Sequence, residues 1–264
     1  MRTIMADDPQ KFLEVALEAT KKAEPVFRKY FGNAPGVSEK VDQGMHRSPV
    51  TDVDKEIETL ITSHLLSQFS THSISGEEFS PQHHSSPYTW YIDPIDGTIN
   101  YIRGLPFASI SLGLWKEDVP IVAVVSDPMH NVTYSALHDK GAFRNGTQKL
   151  SVSSVSKFGE AVGGSGRAKA LGEDPLLQRV AKAAYRGREY GGAALELCSV
   201  AEGKLDFWIS ERTKIYDVAA GMLMVTEAGG TVTDWEGNPY TLDSANIVAS
   251  NGKIHTELLQ ALKK

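Results

Sequence analysis

The chain has 264 residues, 41% hydrophobic and 23% charged, with a formal net charge of −6. These proportions belong to a folded globular protein and exclude intrinsic disorder, collagen and a whole-chain coiled coil. Lys and Arg number 27 against 33 Asp and Glu and form no basic stripe, so nucleic acid is not an expected partner.

The N-terminal MRTIMADDPQKF lacks the apolar segment of a signal peptide. Residues 9–31 follow as an amphipathic helix, with Pro9 in its first turn and Phe12, Ala16, Ala19, Ala23 and Phe27 on one face. Residues 33–49 read as loop, broken by Gly36, Gly44 and Pro49. A second helix over 52–69 has Thr51 or Asp52 as its cap and Ile57, Leu60, Ile61 and Leu65 as its stripe. A short strand over 73–76 ends in Glu77-Glu78, and 81–87 is an exposed loop. A strand over 89–92 runs straight into Asp93-Pro-Ile-Asp96-Gly97-Thr98. Strands follow at 108–115, 121–127 and 132–137, then a hairpin region at 140–146. The run 105–115 is the most apolar, but Ser109, Ser111 and Gly113 interrupt it and it is too short for a bilayer, so no membrane partner is expected.

The second half reads as a strand over 162–166, a helix over 174–185, a helix over 193–202 and a strand over 205–209. A helix over 218–228, strands at 231–234 and 247–250 and a helix over 254–262 complete it. Helices and strands mix as in a layered α/β protein. We expect one domain over residues 1–264, with lobes at 9–150 and 151–264. The only cysteine, Cys198, cannot form an internal disulfide; this suits a reducing compartment, the cytoplasm by default.

The chemistry concentrates in Trp90-Tyr-Ile-Asp93-Pro-Ile-Asp96-Gly97-Thr98-Ile-Asn100. A β-rich run delivers two carboxylates three residues apart, beside a Pro without an N–H and a Gly with a permissive backbone. A helix opening after Gly97 would present free N–H groups to an anion. Asp93 and Asp96 beside such an anion would need a cation between them. Two like charges about 4 Å apart cost roughly 4 kcal/mol at a surface-type dielectric. Glu77, Glu78 and Asp217 supply further acidic strand ends. An all-oxygen set selects Mg²⁺, Ca²⁺ or Mn²⁺. Zinc is disfavoured, because Cys198 has no cysteine partner and no His pair has zinc-site spacing. Taken alone, Asp93 and Asp96 also read as capping aspartates of a strand-end turn.

These segments resemble the inositol monophosphatase family of Mg²⁺-dependent, lithium-sensitive phosphomonoesterases. The likeness is carried by Gly76-Glu77-Glu78, by Trp90 to Asn100, and by Asp217-Val-Ala-Ala-Gly221 with Glu227-Ala-Gly-Gly230. Ser48-Pro-Val-Thr51-Asp52-Val-Asp54 and Gly191-Gly192-Ala193-Ala194 extend it, so it covers nearly the whole chain. It implies an αβαβα sandwich and a homodimer. It implies that Glu77, Asp93 and the Ile95 carbonyl hold one Mg²⁺, and Asp93, Asp96 and Asp217 a second, with a weaker third near Glu77; Mn²⁺ is an alternative ion. Thr98 and Asp54, with Glu77 close by, would orient or deprotonate the attacking water, and the amides of Gly97 and Thr98 would hold the phosphate. Asp54 also reads as a first-turn helix acid and Thr98 as a cap, and Lys40 reads either as a cation on the phosphate's approach or as a solvated loop lysine.

The resemblance places Arg188, Gly191, Ala193 and Ser210 on the substrate side, with Asp96 accepting a substrate hydroxyl. Ser210 departs from the animal members, which carry a glutamate there. Arg212 is similar to prokaryotic members, some of which also accept fructose 1,6-bisphosphate. Inositol 1-phosphate is therefore the leading small-molecule phosphate ester, with histidinol phosphate, fructose 1,6-bisphosphate and 3′-phosphoadenosine 5′-phosphate as alternatives. A non-catalytic metal-binding relative would have lost one of Glu77, Asp93, Asp96, Thr98 or Asp217, and all are present.

Overall fold

Helix α1 (Pro9–Tyr30) starts where Asp8 accepts the Gln10 N–H at 3.0 Å and Pro9 occupies a position that needs no N–H. The structure, a computed structural model, describes residues 8–41, 47–166, 180, 182–211 and 213–263. Residues 1–7, Arg212 and most of the helix expected over 174–185 lie outside the described residues. Helix α2 (Asp52–Gln68) is closed at its start by a reciprocal cap. The Thr51 hydroxyl accepts from the N–H groups of Val53 and Asp54, and Asp54 Oδ2 accepts the Thr51 N–H at 2.8 Å.

Seven strands form the larger sheet, in the order β3-β4-β5-β6-β7-β8-β9. They are β3 (Ser73–Gly76), β4 (Tyr88–Asp96), β5 (Ser109–Lys116), β6 (Val119–Asp127), β7 (Val132–Leu137), β8 (Gly141–Arg144) and β9 (Gln148–Lys149). Only β3 and β4 pair in parallel. The smaller sheet has the order β11-β10-β12-β14-β13, from β10 (Val162–Gly166), β11 (Arg186–Arg188), β12 (Phe207–Ser210), β13 (Thr231–Thr233) and β14 (Ile247–Ser250). Four further helices are α3 (Thr98–Arg103), α4 (Ala193–Ala201), α5 (Ile215–Glu227) and α6 (His255–Lys263).

Three buried clusters define the layering. Phe12, Val15, Phe27, Ile57 and Ile61 of α1 and α2 meet Trp90, Ile92, Ile110 and Leu112 on one face of the larger sheet. Tyr91, Trp115 and Val125 on its other face meet Leu197, Val218 and Leu223 of α4 and α5, which also cover Trp208, Ile247 and Ala249 of the smaller sheet. Beyond that sheet, Leu258 and Leu262 of α6 pack with Phe207, Ile209 and Val248. The central strands alternate their side chains between two apolar layers, and these parts of the sheets are therefore covered on both sides. The result is the αβαβα sandwich expected from the sequence.

Two local expectations differ. The stretch read as loop over 33–49 contains a hairpin, β1 (Ser38–Val41) paired antiparallel with β2 (Arg47–Val50). Strands this short and polar, SEKV and RSPV, carry too little alternation to register. The second is β4, which extends through Asp96 rather than ending at residue 92.

Candidate active site

The extension of β4 positions the two central carboxylates. Asp93 pairs with Ser111, and Asp96 with Ser109, so three steps on β4 match two on β5. The extra residue is a β-bulge at Pro94-Ile95, where Pro94 has no N–H to lose from the ladder. In a regular strand, residues three apart face opposite ways. Ser109 and Ser111 share a face, so the bulge turns Asp93 and Asp96 to that face together. Tyr91, two residues before Asp93, packs with the α4–α5 layer, so this is the α5 side of the sheet.

Helix α5 approaches closely because β5 carries a glycine. A β-carbon at Gly113 would lie 3.0 Å from Ala219 Cβ and 3.1 Å from the Ala220 nitrogen. Trp115 Nε1 donates to the Ala219 carbonyl at 3.3 Å. Asp217 lies in the first turn of this helix, with Oδ2 accepting the Lys214 N–H at 3.0 Å. Glu77 follows β3, and its N–H donates to the Ile92 carbonyl at 3.1 Å, next to Asp93. Its Oε1 lies 2.6 Å from Lys40 Nζ, which stands equally close to Glu78 Oε1. Lys40 is therefore ion-paired rather than solvated; Glu77 and Glu78 outweigh its burial and raise its pKa.

Charge repulsion shows that the acids share a neighbourhood. Burial pushes the Asp93 carboxyl well up, and Glu77, Asp96 and Asp217 push it further. Burial and Asp217 raise Asp96 to about 7, against the pull of its hydrogen bonds from Ala194, Ala193 and Ser109. Asp54 also reaches about 7, chiefly by burial. Its Oδ2 serves the cap of α2, while Oδ1 is buried without a hydrogen-bond partner. Asp54 thus caps the helix and keeps one oxygen for other work. Thr98 Oγ1 donates to the Ile95 carbonyl at 3.0 Å. The backbone turns into α3 at Gly97, which has φ of 83° and no side chain capping the helix.

The donor chemistry fits a hard divalent cation: carboxylates and a carbonyl, coupled through their charges, with a lysine ammonium already on Glu77. The set is nevertheless not drawn into a finished cage. Among the described residues, no three His, Cys, Asp or Glu side chains stand together as a ready metal site. Each acid also holds a local partner: Lys40 for Glu77, the Ile95 N–H for Asp93, the Ala193 and Ala194 N–H groups for Asp96.

The substrate-side residues divide. Ala193 joins the site directly, since its N–H donates to Asp96 Oδ1 at 2.8 Å. Gly191 has φ of 79°, and its carbonyl would lie 3.1 Å from a β-carbon at Gly97, so these two turns touch. Asn100 ties them, its Nδ2 donating to the carbonyls of Phe107 at 2.8 Å and Tyr190 at 2.6 Å. Ser210 is buried at the end of β12. Arg188 is exposed on β11, and its guanidinium donates to the Gly187 carbonyl.

Sequence reasoning did not assign Glu58 and Asn100. Glu58 lies one helical turn after Asp54 on α2, and Asn100 closes the Asp93–Asn100 motif; both spacings were visible, but their partners are remote in sequence.

The model of the Inositol monophosphatase family matches residues 8–264. Inositol monophosphatase 2 of Solanum lycopersicum is 35% identical over 97% of this chain and 99% of its own length. A fructose-1,6-bisphosphatase/inositol-1-monophosphatase of Thermotoga maritima is 32% identical, covering 96% of each chain. The crystal structure of the extragenic suppressor protein suhB from Bartonella henselae superposes with a TM-score of 0.89 at 29% identity, over 96% of this chain and 99% of that one.

Proposed function

This chain belongs to the inositol monophosphatase family of phosphoric monoester hydrolases, and from that we propose that it hydrolyses inositol 1-phosphate with Mg²⁺ as cofactor. The observation that carries this reading is the bulge of β4, which turns Asp93 and Asp96 to one face opposite Asp217. We assign Glu77, Asp93, the Ile95 carbonyl, Asp96 and Asp217 as oxygen ligands of two ions, with Glu77 near a third and Mn²⁺ able to substitute. Bound there, the ions supply Lewis acidity and charge neutralisation.

The chain's own residues do the rest. The Gly97 and Thr98 N–H groups at the open start of α3 hold phosphate oxygens. Asp54 takes the proton of the attacking water at its free Oδ1, and Thr98 orients that water. The contact between Gly97 and Gly191 and the Ala193 N–H bond to Asp96 support a role for Gly191 and Ala193 beside the phosphate and for Asp96 as acceptor of a substrate hydroxyl. We assign Ser210 and Arg188 to the substrate side from the family resemblance alone.

The Thermotoga relative's name favours fructose 1,6-bisphosphate as a second substrate. Phosphate release is measured with and without Mg²⁺ on inositol 1-phosphate, fructose 1,6-bisphosphate, histidinol phosphate and 3′-phosphoadenosine 5′-phosphate. Inositol 1-phosphate leading by about a hundredfold in kcat/KM, roughly 2.7 kcal/mol, supports the assignment; another substrate leading by that margin replaces it. Lithium sensitivity, a cytoplasmic location and a homodimer complete the reading; none of the described helices is long and apolar enough to cross a membrane.

A further inference from the structure

We infer that Glu58, on α2, is a positioning residue for the acidic turn that carries Glu77, and that it thereby sets the affinity of the site for its divalent cation. Both carboxylate oxygens are spent on this one turn: Oε2 accepts the Glu78 N–H at 2.9 Å and Oε1 the Phe79 N–H at 3.2 Å. A carboxylate held by two consecutive backbone amides is a charge-assisted clamp on the backbone, stronger than a neutral bond. The third point of attachment is the Glu77 N–H, which donates to Ile92, the residue before Asp93. The turn is thus pinned on one side to β4, next to Asp93, and on the other to α2, one helical turn after Asp54. Three backbone N–H groups of the turn, two held by the Glu58 carboxylate and one by the Ile92 carbonyl, thus fix Glu77 between the elements that carry Asp54 and Asp93.

The local sequence is shaped around this clamp. A β-carbon at Gly76 would overlap the Glu58 carboxylate, so only glycine lets the carboxylate reach the turn. Glu58 is itself 1% exposed, and its burial is opposed by the charges of Glu77 and Glu78. An apolar side chain of that length would fill the space at lower cost, but could not hold the two N–H groups. Glu58 touches no substrate atom in this reading; it acts through Glu77.

The inference rests on the phosphatase reading above, and its test separates the two. Mg²⁺ is titrated into the wild-type protein and Glu58→Gln, following the Mg²⁺-induced rise in Tm and, separately, phosphate release from inositol 1-phosphate. Glutamine keeps the volume but offers only one acceptor oxygen. The half-saturating Mg²⁺ concentration should rise roughly tenfold or more in both readouts, the range found for residues that support metal ligands. The kcat at saturating Mg²⁺ should stay within about twofold, because the ligands themselves are unchanged. Should Glu58→Gln not fold, Gly76→Ala displaces the clamp from the other side and should shift the same midpoint. A variant with a lowered metal-free Tm and an unshifted Mg²⁺ midpoint overturns the inference, leaving Glu58 a stabilising residue only. A wild-type protein without any Mg²⁺ response overturns the phosphatase reading and this inference with it.

Discussion

Asp93 is the residue on which the proposed chemistry turns. Its carboxylate is buried and repelled by Glu77, Asp96 and Asp217 at once. Asp93→Asn removes the shared charge while keeping the size, so Mg²⁺-dependent phosphate release should fall by about a thousandfold or more, some 4 kcal/mol of transition-state stabilisation. Circular dichroism and Tm should stay close to wild type; retained turnover would remove Asp93 from the machinery. Glu196 is a second informative residue, in the first turn of α4 with one buried oxygen lacking a hydrogen-bond partner. Burial pushes its carboxyl to about 8, against the pull of the Tyr190 N–H. The folded state therefore binds this proton more tightly than the unfolded chain does. The stability it confers is complete below the unfolded pKa, near 4.5, and is lost as pH rises towards 8. Glu196→Gln should thus stabilise the protein near pH 8 by on the order of 2 kcal/mol and show no such gain near pH 4.5, as read by urea denaturation at the two pH values.

At the scale of elements, the decisive contact is α5 on β5. Gly113 faces Ala219 and Ala220 with no room for a further carbon, and this brings the first turn of α5, with Asp217, over the face that carries Asp93 and Asp96. Gly113→Val should lift the helix, lower stability by about 1–3 kcal/mol and raise the Mg²⁺ concentration needed for half-maximal activity. Loss of stability with an unchanged Mg²⁺ requirement would show that the helix contact does not set the placement of Asp217. The hairpin β1–β2 contributes differently: it brings Lys40 to Glu77 and Glu78, a cation supplied by an element that the sequence pattern did not register.

At the scale of the whole molecule, the site joins β4 and α3 to α4 and the loop between β11 and α4. Asp96 receives N–H groups from α4, Asn100 holds the carbonyl of Tyr190, and Gly97 meets Gly191. A ligand that binds across such joints stabilises the folded state through mass action. At Mg²⁺ about a hundredfold above its dissociation constant, the linkage contributes about 2.7 kcal/mol. Thermal unfolding should therefore move up by several degrees on adding Mg²⁺ and return on chelation; a Tm indifferent to Mg²⁺ would count against metal binding by the folded protein.

Much of the architecture was legible because it follows from local pattern. The stripes of α1 and α2 and the apolar runs of β5 and β6 specify buried faces by period alone, and the motif at 90–100 displays its acids in order. The extended β4 was not legible, since Pro94 argues for a strand end and only pairing with β5 shows that a bulge absorbs it. Nor were the roles of Glu58 and Lys40, whose partners lie 20 to 38 residues away in the chain. Sequence by itself determined most of the element types, the family and the identity of the acidic residues, because periodicity and short motifs are local properties. Tertiary structure decided which face those acids share, which of their oxygens remain free and what holds the turns that carry them. Those outcomes depend on strand register and helix approach, and both are set by contacts between residues far apart in the chain.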